Sequence, residues 1–272
     1  YASMKNTGFE FEVGHMNQVG EFRYGANFNF SRFVNEVLEV VAPTYASTYT
    51  IQEGLPWQSY YLVEVEGIFQ NQGEIDEAAT HPFTPQPGDL KFVDQNNDGV
   101  INGDDRTVVD GAFPKFYYGG SLNVSWKGFD LTAFIQGVNG QKYRVNAWGI
   151  DPFIQGTPPT KDFVENMWTP DNPTNEYPAM YRQSYKPITG TNYTYHLFDA
   201  SYFRLKNVVL GYNLPGEIVN KLRMKALRVY ISADNLFTIT DYPGSDPERT
   251  GGGRFATYPQ LKVYTAGVKV KF

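Results

Sequence analysis

The sequence predicts an all-β fold, an antiparallel transmembrane β-barrel segment, and three observations support that class. Apolar and polar residues alternate over long stretches, as they do in barrel strands. Short and long connections between those stretches alternate in the second half of the chain, which is the usual asymmetry of a barrel. Hydrophobic residues make up 41% of the chain, yet mean hydropathy is -0.43, so apolar residues are interleaved with polar ones rather than gathered into membrane helices.

The last nine residues give the clearest strand. Apolar residues occupy every second position from Tyr264 to Phe272, whereas Lys269 and Lys271 lie among the residues that point the other way. A soluble sheet could bury the apolar face against a second sheet. A membrane barrel would instead turn that face toward lipid and the lysines toward a wet lumen.

The remaining strands follow the same alternation. Phe9, Phe11 and Val13 alternate with acidic residues, a turn follows at 17–20, and a second aromatic strand runs to Phe30. Residues 34–56 are compatible with either a short helix or a continued strand. Further strands are predicted within 60–69, 122–126, 129–135, 203–212, 227–233 and 264–272, which makes about eight in all.

Three long segments separate these strands, at about 70–114, 140–200 and 240–260. They contain many proline, glycine and acidic residues, and segments of this length are usually functional or disordered. If the chain ends on the periplasmic side, the short turn at 127–128 and the segment 214–225 are periplasmic, and the three long loops are extracellular.

Composition and motifs exclude several classes of function. A net charge of -6 argues against a nucleic-acid partner, and the absence of cysteine removes disulfides and thiolate metal sites. The sequence contains no phosphate-binding glycine loop and no serine, histidine and aspartate order typical of a hydrolase. We therefore expect no enzymatic activity.

An acidic stretch at 94–105 has the spacing of a calcium-binding loop. Oxygen-bearing residues fall at loop positions 1, 3, 5 and 12, and Gly99 stands at position 6, where the loop must turn sharply. The alternative is a solvated turn whose acids serve only local geometry. The sequence predicts a structural Ca²⁺ with ligands from Asp94, Asn96, Asp98, the Val100 carbonyl and Asp105.

Aromatic residues crowd the second long loop. Their rings could stack on sugars or on peptide side chains, or could simply pack the loop against the protein. Packing is the more economical interpretation of any single ring, and the group as a whole is the candidate for contact with a ligand or partner. Its members are Trp148, Trp168, Tyr177, Tyr181, Tyr193 and Tyr195.

Several motifs in fixed order resemble a known family. They are Gly88–Asp94 before the acidic loop, Pro114–Gly120, Lys127–Gly137, Trp168–Pro173, Ser201–Pro215, Leu227–Thr238 and Asp246–Glu248. In this order they resemble the carboxy-terminal half of SusC/RagA-type TonB-dependent outer-membrane transporters. The resemblance spans nearly the whole chain.

The resemblance implies a barrel of about 22 strands, of which residues 1–272 supply the last ones. It implies a SusD-like surface lipoprotein as partner, energy from TonB through an amino-terminal part, and import of oligosaccharides or peptides across the bacterial outer membrane. No plug domain is expected in this chain, which suggests a carboxy-terminal piece. The alternative is a secreted β-sandwich that binds carbohydrate and carries a calcium-stapled loop.

Overall fold

The computed structural model describes residues 2–145, 152–153, 156, 158–180, 192–248 and 260–272. These residues include three short α-helices, α1 (Gln72–Glu77), α2 (Lys161–Asn166) and α3 (Gly216–Lys221). The strands are β1 (Ala2–Val19), β2 (Phe22–Val40), β3 (Thr44–Tyr45), β4 (Tyr49–Ile51), β5 (Ser59–Val63), β6 (Val65–Ile68), β7 (Leu90–Phe92), β8 (Arg106–Val109), β9 (Phe116–Trp126), β10 (Phe129–Asn139), β11 (Lys142–Arg144), β12 (Leu197–Asp199), β13 (Tyr202–Asn213), β14 (Ala226–Ile239) and β15 (Val263–Lys271).

One large sheet organises the chain. Its seven strands lie in the order β1-β2-β9-β10-β13-β14-β15, and every neighbouring pair is antiparallel. The antiparallel all-β prediction is therefore confirmed. The two edge strands, β1 and β15, do not pair with each other, so within the described residues the sheet does not close into a barrel.

The two faces of this sheet differ in chemistry because side chains alternate along each strand. One row across the strands is almost wholly apolar: Tyr24, Val124, Leu131, Leu210, Ile231 and Ala266. A row on the opposite face is polar or glycine: Asn29, Gly119, Gln136, Arg204 and Thr238. Among the described residues no second sheet covers the apolar face, as a β-sandwich would require, and its members Phe9, Phe11 and Ile231 are more than half exposed.

Aromatic residues lie at both ends of the apolar face. Trp126 and Phe129 mark one end, where Phe129 packs on Tyr212 with ring centroids 4.5 Å apart. At the other end Tyr118 stacks on Phe203 at 6.5 Å. Strand β9 has 11 residues. It is therefore about 35 Å long, and a tilt of about 40° would give an apolar band roughly 25 Å tall, the height of a membrane barrel.

The connections at the two ends of the sheet differ in length. At one end, which we call the turn end, β1 joins β2 and β9 joins β10 through two residues each, and α3 lies between β13 and β14. At the other end, the loop end, the connections are residues 41–115, 140–201 and 240–262. Among the described residues, the small sheets and helices α1 and α2 lie within the loop-end connections.

The structure changes one predicted strand and decides one segment that the sequence left open. Residues 60–69 form β5 and β6, which pair with β4, β8 and β7 in small sheets rather than joining the large one. The large sheet consequently has seven strands instead of about eight. Residues 34–56 contain no helix, because β2 continues to Val40 and β3 and β4 follow.

No helix among the described residues has the length and apolar character needed to cross a membrane.

Candidate functional site at the loop end

The first two loop-end connections interlock into one body, which we call the loop assembly (residues 41–115, 142–145, 158–180 and 192–200). Backbone hydrogen bonds join its distant parts, with Val63 N–H donating to the Asn192 carbonyl at 2.9 Å and Ala179 N–H donating to the Gly88 carbonyl at 2.8 Å. The Val65 N–H donates to Thr194 Oγ1 at 2.9 Å, across 129 positions of sequence. Pairing between the two connections therefore joins the small sheets that form within the first connection into one assembly.

A small apolar core supports the loop assembly. Its buried members are Val63, Ile68, Leu90, Phe92, Ile101 and Trp168. Gly88 has a φ of +97°, and a Cβ there would lie 2.6 Å from the Trp168 ring, so only glycine lets this indole approach the backbone. The Trp168 Nε1–H donates to Gln70 Oε1 at 3.0 Å, which satisfies the polar atom of an otherwise buried ring.

His81 is a buried ionisable group beside this core. Its ring lies within 5.2–5.6 Å of Phe69, Phe83 and Phe92, measured between centroids. The Phe92 N–H donates to Nε2 at 3.3 Å, and Nδ1 donates to the Ala79 carbonyl at 2.8 Å, so the geometry selects the neutral Nδ1–H tautomer. Burial accordingly lowers the pKa of His81 below its usual value of 6.5.

Four of the predicted aromatic contact residues lie in described parts of the chain. Trp168 is 8% exposed in the core, and the Tyr193 ring packs on Phe92 with centroids 4.4 Å apart. Tyr177 packs on Phe163 and donates its hydroxyl to Asp162 at 2.5 Å, while the Tyr195 ring meets His196 edge-on. Trp148 and Tyr181 lie outside the described residues.

The acidic loop closes through hydrogen bonds between its side chains and its own backbone. Gly99 N–H donates to Asp94 Oδ2 at 2.9 Å, Asp98 N–H to Asn96 Oδ1 at 2.9 Å, and Val100 N–H to Asp98 Oδ1 at 2.8 Å. Asp94 Oδ1 is shielded from solvent and has no hydrogen-bond partner.

Asp105, at the last position of the loop, serves a structural purpose. It is fully buried, and its two carboxylate oxygens accept the N–H groups of Gln95 and Asn102 at 2.9 and 2.7 Å. The short 3₁₀ turn Gly103–Asp105 begins with a capping box between Asn102 and Asp105. No cluster of three or more acidic or histidine side chains arranged to hold a metal ion occurs among the described residues.

Sequence reasoning missed a charged network on the polar face of the sheet. Arg204, only 3% exposed, lies 3.2 Å from Asp246 and 3.1 Å from Glu248, and Lys206 lies 2.6 Å from Glu248. Gln136 donates to Glu248 at 2.6 Å and to the Tyr202 hydroxyl at 3.1 Å. Two cations on β13 thus hold two acids from the connection that follows β14.

This connection, residues 240–248, forms a strap that crosses back over the polar face. It begins where Thr240 Oγ1 donates to the Ser201 carbonyl at 2.8 Å, and Tyr242 then packs edge-on against Tyr143 at 5.9 Å. Because Asp246 is 1% exposed and Arg204 is 3% exposed, the strap shields this ion pair from water. Arg204 and Lys206, at alternate positions of β13, are the sequence signal for this network. Sequence reasoning missed it because Asp246, the partner of Arg204, lies 42 positions away along the chain.

A second ion pair lies on the polar face near the turn end. Arg228 on β14 makes a bidentate contact with Asp130 on β10, and Asn213 donates to the same carboxylate at 3.0 Å. The guanidinium crosses β13 at Gly211, where a Cβ would lie 2.3 Å from it. Both ends of the polar face thus carry paired charges, as suits a surface in contact with water.

Comparisons with known proteins match the whole chain to one kind of receptor, although no family model matches it. TonB-dependent receptor P3 of Formosa agariphila is 30% identical over an alignment of 294 residues, gaps included, which covers 99% of this chain and 29% of the relative. TonB-dependent receptor SusC of Bacteroides thetaiotaomicron is 21% identical over 280 residues, 99% of this chain and 26% of the relative.

The solved structure of the RagAB peptide transporter matches with a TM-score of 0.77 and 28% identity, over 100% of this chain and 30% of that one. The large sheet therefore corresponds to part of a RagA barrel wall. Such receptors are β-barrels of the outer membrane and are transporters, not enzymes. The chain is homologous along its whole length to SusC/RagA-type TonB-dependent receptors and spans about 30% of the length of the relatives it matches.

Proposed function

We propose that this chain forms part of the wall and the outer mouth of a TonB-dependent importer that takes up oligopeptides or oligosaccharides. The two-sided sheet supports this function most directly. Its apolar face is suited to lipid, its polar face is suited to a wet lumen, and its long connections are gathered at one end. The wall would belong to a barrel of about 22 strands.

The loop assembly and the strap take different parts in this proposal. The loop assembly has its own apolar core, so it forms a rigid rim at the extracellular end, against which a SusD-like lipoprotein would close. The strap crosses the polar face, so residues 240–248 line the passage at the same end. The predicted contact residues Trp148, Trp168, Tyr177, Tyr181, Tyr193 and Tyr195 would act at the rim, Trp168 by supporting it from the core, where its ring is 8% exposed.

Nutrient uptake by the full-length receptor tests the proposal. A bacterial strain that lacks the receptor is supplied with defined peptides or defined oligosaccharides as its sole limiting nutrient. The expected result is that the wild-type receptor restores growth on one of these two nutrient classes, and that dissipating the proton gradient stops uptake. Equal growth with and without the receptor on both classes would contradict the proposed function.

The matches to RagAB and SusC leave open whether the substrate is a peptide or an oligosaccharide. A competition binding experiment distinguishes these two classes. Labelled peptide pools and labelled oligosaccharides are offered to the purified receptor together with its lipoprotein partner. Retention of peptide alone would assign peptide import, and retention of oligosaccharide alone would assign glycan import. Retention of neither by a receptor that supports growth would move the substrate outside both classes.

We also propose that the acidic loop binds a structural Ca²⁺ at the extracellular rim. The residues fit this ion in type, because Asp94, Asn96, Asp98, the Val100 carbonyl and Asp105 offer oxygen ligands only. The unpartnered Oδ1 of Asp94 supports the proposal, because a shielded carboxylate oxygen is costly without a partner. Binding would require the side chains to turn from backbone N–H groups toward a common centre.

Calcium binding is tested on the full-length receptor by calorimetry and by protease resistance of residues 90–110. The expected result is that Ca²⁺ slows cleavage there and that chelation reverses the effect. Asp98→Ala should abolish both responses, whereas the matched change Asp76→Ala, in the neighbouring helix α1, should abolish neither. Cleavage at the same rate with Ca²⁺ and with chelator would overturn the proposal.

A further inference from the structure

The turn end of the sheet carries an amphipathic segment that the import function does not use. Residues 214–225 connect β13 to β14 and contain helix α3. Ile218 and Leu222 are 46% and 50% exposed although they are large apolar residues, and they are four positions apart, so they share one side of the helix. Val219 is 2% exposed and anchors the helix to the rest of the protein.

Three cations accompany these apolar side chains. Lys221, Arg223 and Lys225 are all exposed. None of them lies within ion-pair distance of a carboxylate among the described residues. Glu217 is the one acidic residue of the segment. The segment thus combines unpaired positive charge with exposed apolar surface, the composition of helices that lie in a membrane interface.

The sheet holds this segment at the depth of the aromatic residues Trp126, Phe129 and Tyr212 at the turn end of the apolar face, which we call the aromatic girdle. Asn213 N–H donates to the Gly128 carbonyl at 2.8 Å, and Lys225 N–H donates to the Lys271 carbonyl at 2.7 Å. The girdle residue Tyr212 is directly followed by Asn213, and Lys127 at the adjacent turn lies over the Trp126 ring at 5.3 Å. Trp and Tyr mark the level of lipid headgroups in membrane proteins, so residues 214–225 lie next to that level.

We propose that residues 214–225 are a docking surface for anionic phospholipid headgroups of the periplasmic leaflet. Ile218 and Leu222 enter the acyl-chain boundary, and Lys221, Arg223 and Lys225 pair with lipid phosphates. The inference rests on the barrel orientation in the proposed function. Two observations favour lipid over a protein partner. The positive charge of the segment complements lipid phosphates, and the segment is continuous with the apolar face of the sheet. A periplasmic protein partner would not require the segment to lie at the depth of the aromatic girdle.

Lipid binding is measured on the full-length receptor by native mass spectrometry with added phosphatidylglycerol or phosphatidylcholine. The wild-type receptor is expected to prefer phosphatidylglycerol over phosphatidylcholine. Each of the substitutions Lys221→Gln, Arg223→Gln and Lys225→Gln should lower this preference about fivefold. The matched control is Lys269→Gln with Lys271→Gln, at the same end of the sheet but on its polar face, and it should leave the preference unchanged. A preference that survives the triple substitution overturns the proposal.

A second measurement locates the helix without relying on affinity. This chain contains no cysteine, so Leu222→Cys offers a single labelling site within it for a nitroxide, with Glu217→Cys as control. In vesicles containing phosphatidylglycerol, the label at 222 should collide more with oxygen than with a water-soluble nickel complex, and the label at 217 should show the reverse.

A water-exposed label at 222 would overturn the proposal, as would shielding of that label from both reagents by protein. Neither lipid readout requires substrate. A receptor that imports nothing can therefore still support this inference, and one that imports normally can refute it.

Discussion

The large sheet and the loop assembly place the same kinds of residue in opposite positions. In the sheet, Phe11 and Ile231 are 55% and 59% exposed, and Arg204 on the other face is 3% exposed. In the loop assembly, Phe69 and Leu62 are fully buried. The loop assembly therefore has the core of a water-soluble protein, whereas the sheet exposes apolar side chains on one face and buries Arg204 on the other.

This difference shows that one chain is adapted to two solvents. Apolar side chains leave water by packing together in the loop assembly, because each buried one contributes about 1.5–3 kcal/mol. On the sheet, in the proposed barrel wall, they would leave water by facing lipid, where backbone groups must be satisfied within the sheet itself. Four substitutions or conditions test the contrast, from the largest expected effect to the smallest.

Phe92→Ala should unfold or loosen the loop assembly while the sheet persists. Phe92 is 4% exposed and touches both His81 and Tyr193, so its removal leaves a cavity that costs about 3–5 kcal/mol. Limited proteolysis of the membrane-embedded receptor measures this as faster cleavage between 60 and 110. The control Phe113→Ala removes a ring that is 44% exposed and should cost far less. Equally fast cleavage in Phe92→Ala and Phe113→Ala would contradict the assignment of Phe92 to the core of the loop assembly.

Leu122→Arg should destabilise the sheet, whereas Asn123→Arg should not. Leu122 lies near the middle of β9 on the apolar face, and Asn123 lies on the polar face. An arginine facing the middle of the bilayer costs about 2–4 kcal/mol, and one facing the lumen costs little. Urea unfolding of the receptor in lipid vesicles compares the two. A similar cost for both variants would contradict the assignment of the faces.

Glu248→Gln should release the strap without disturbing either of the larger regions. The substitution removes the charge that Lys206 and Arg204 contact at 2.6 and 3.1 Å, at a cost of about 1–3 kcal/mol. Hydrogen exchange in residues 240–248 should accelerate, while exchange in β13 stays slow. Glu217→Gln, which removes an exposed acid at the turn end, is the control. Unchanged exchange in the strap would mean that the ion pairs do not hold it.

Acidification should weaken the loop assembly through His81. Because burial lowers the folded-state pKa of His81, the unfolded chain takes up a proton first. The stabilising contribution is therefore complete above pH 6.5 and is lost as pH falls from there toward the folded-state pKa. The charged groups that face His81 are Asp89, which favours the protonated ring, and Lys91, which opposes it.

The thermal transition of the loop assembly, followed between pH 7.5 and 5, measures this effect, and it should fall with pH in the wild type. His81→Gln should flatten that dependence, even though it lowers stability at every pH. A slope that persists in His81→Gln would assign the acid sensitivity to another group.

Alternation with a period of two determined much of the fold. The strands around Phe11, Val124, Leu131 and Val268 are visible in the sequence because each residue's face depends only on its own position in the strand. The tight turn at 127–128 and the long connections are equally local. The motif order from Gly88 to Glu248 was sufficient to indicate the family.

The tertiary structure decided which strands and side chains pair with each other. Residues 60–69 alternate as the barrel strands do, yet they join the small sheets because β8 and β7 offer partners in the loop assembly. The contacts of Val65 with Thr194 and of Arg204 with Asp246 join residues far apart in sequence. Alternation states which way a side chain points but not which strand lies beside it, and only the folded chain brings those partners together.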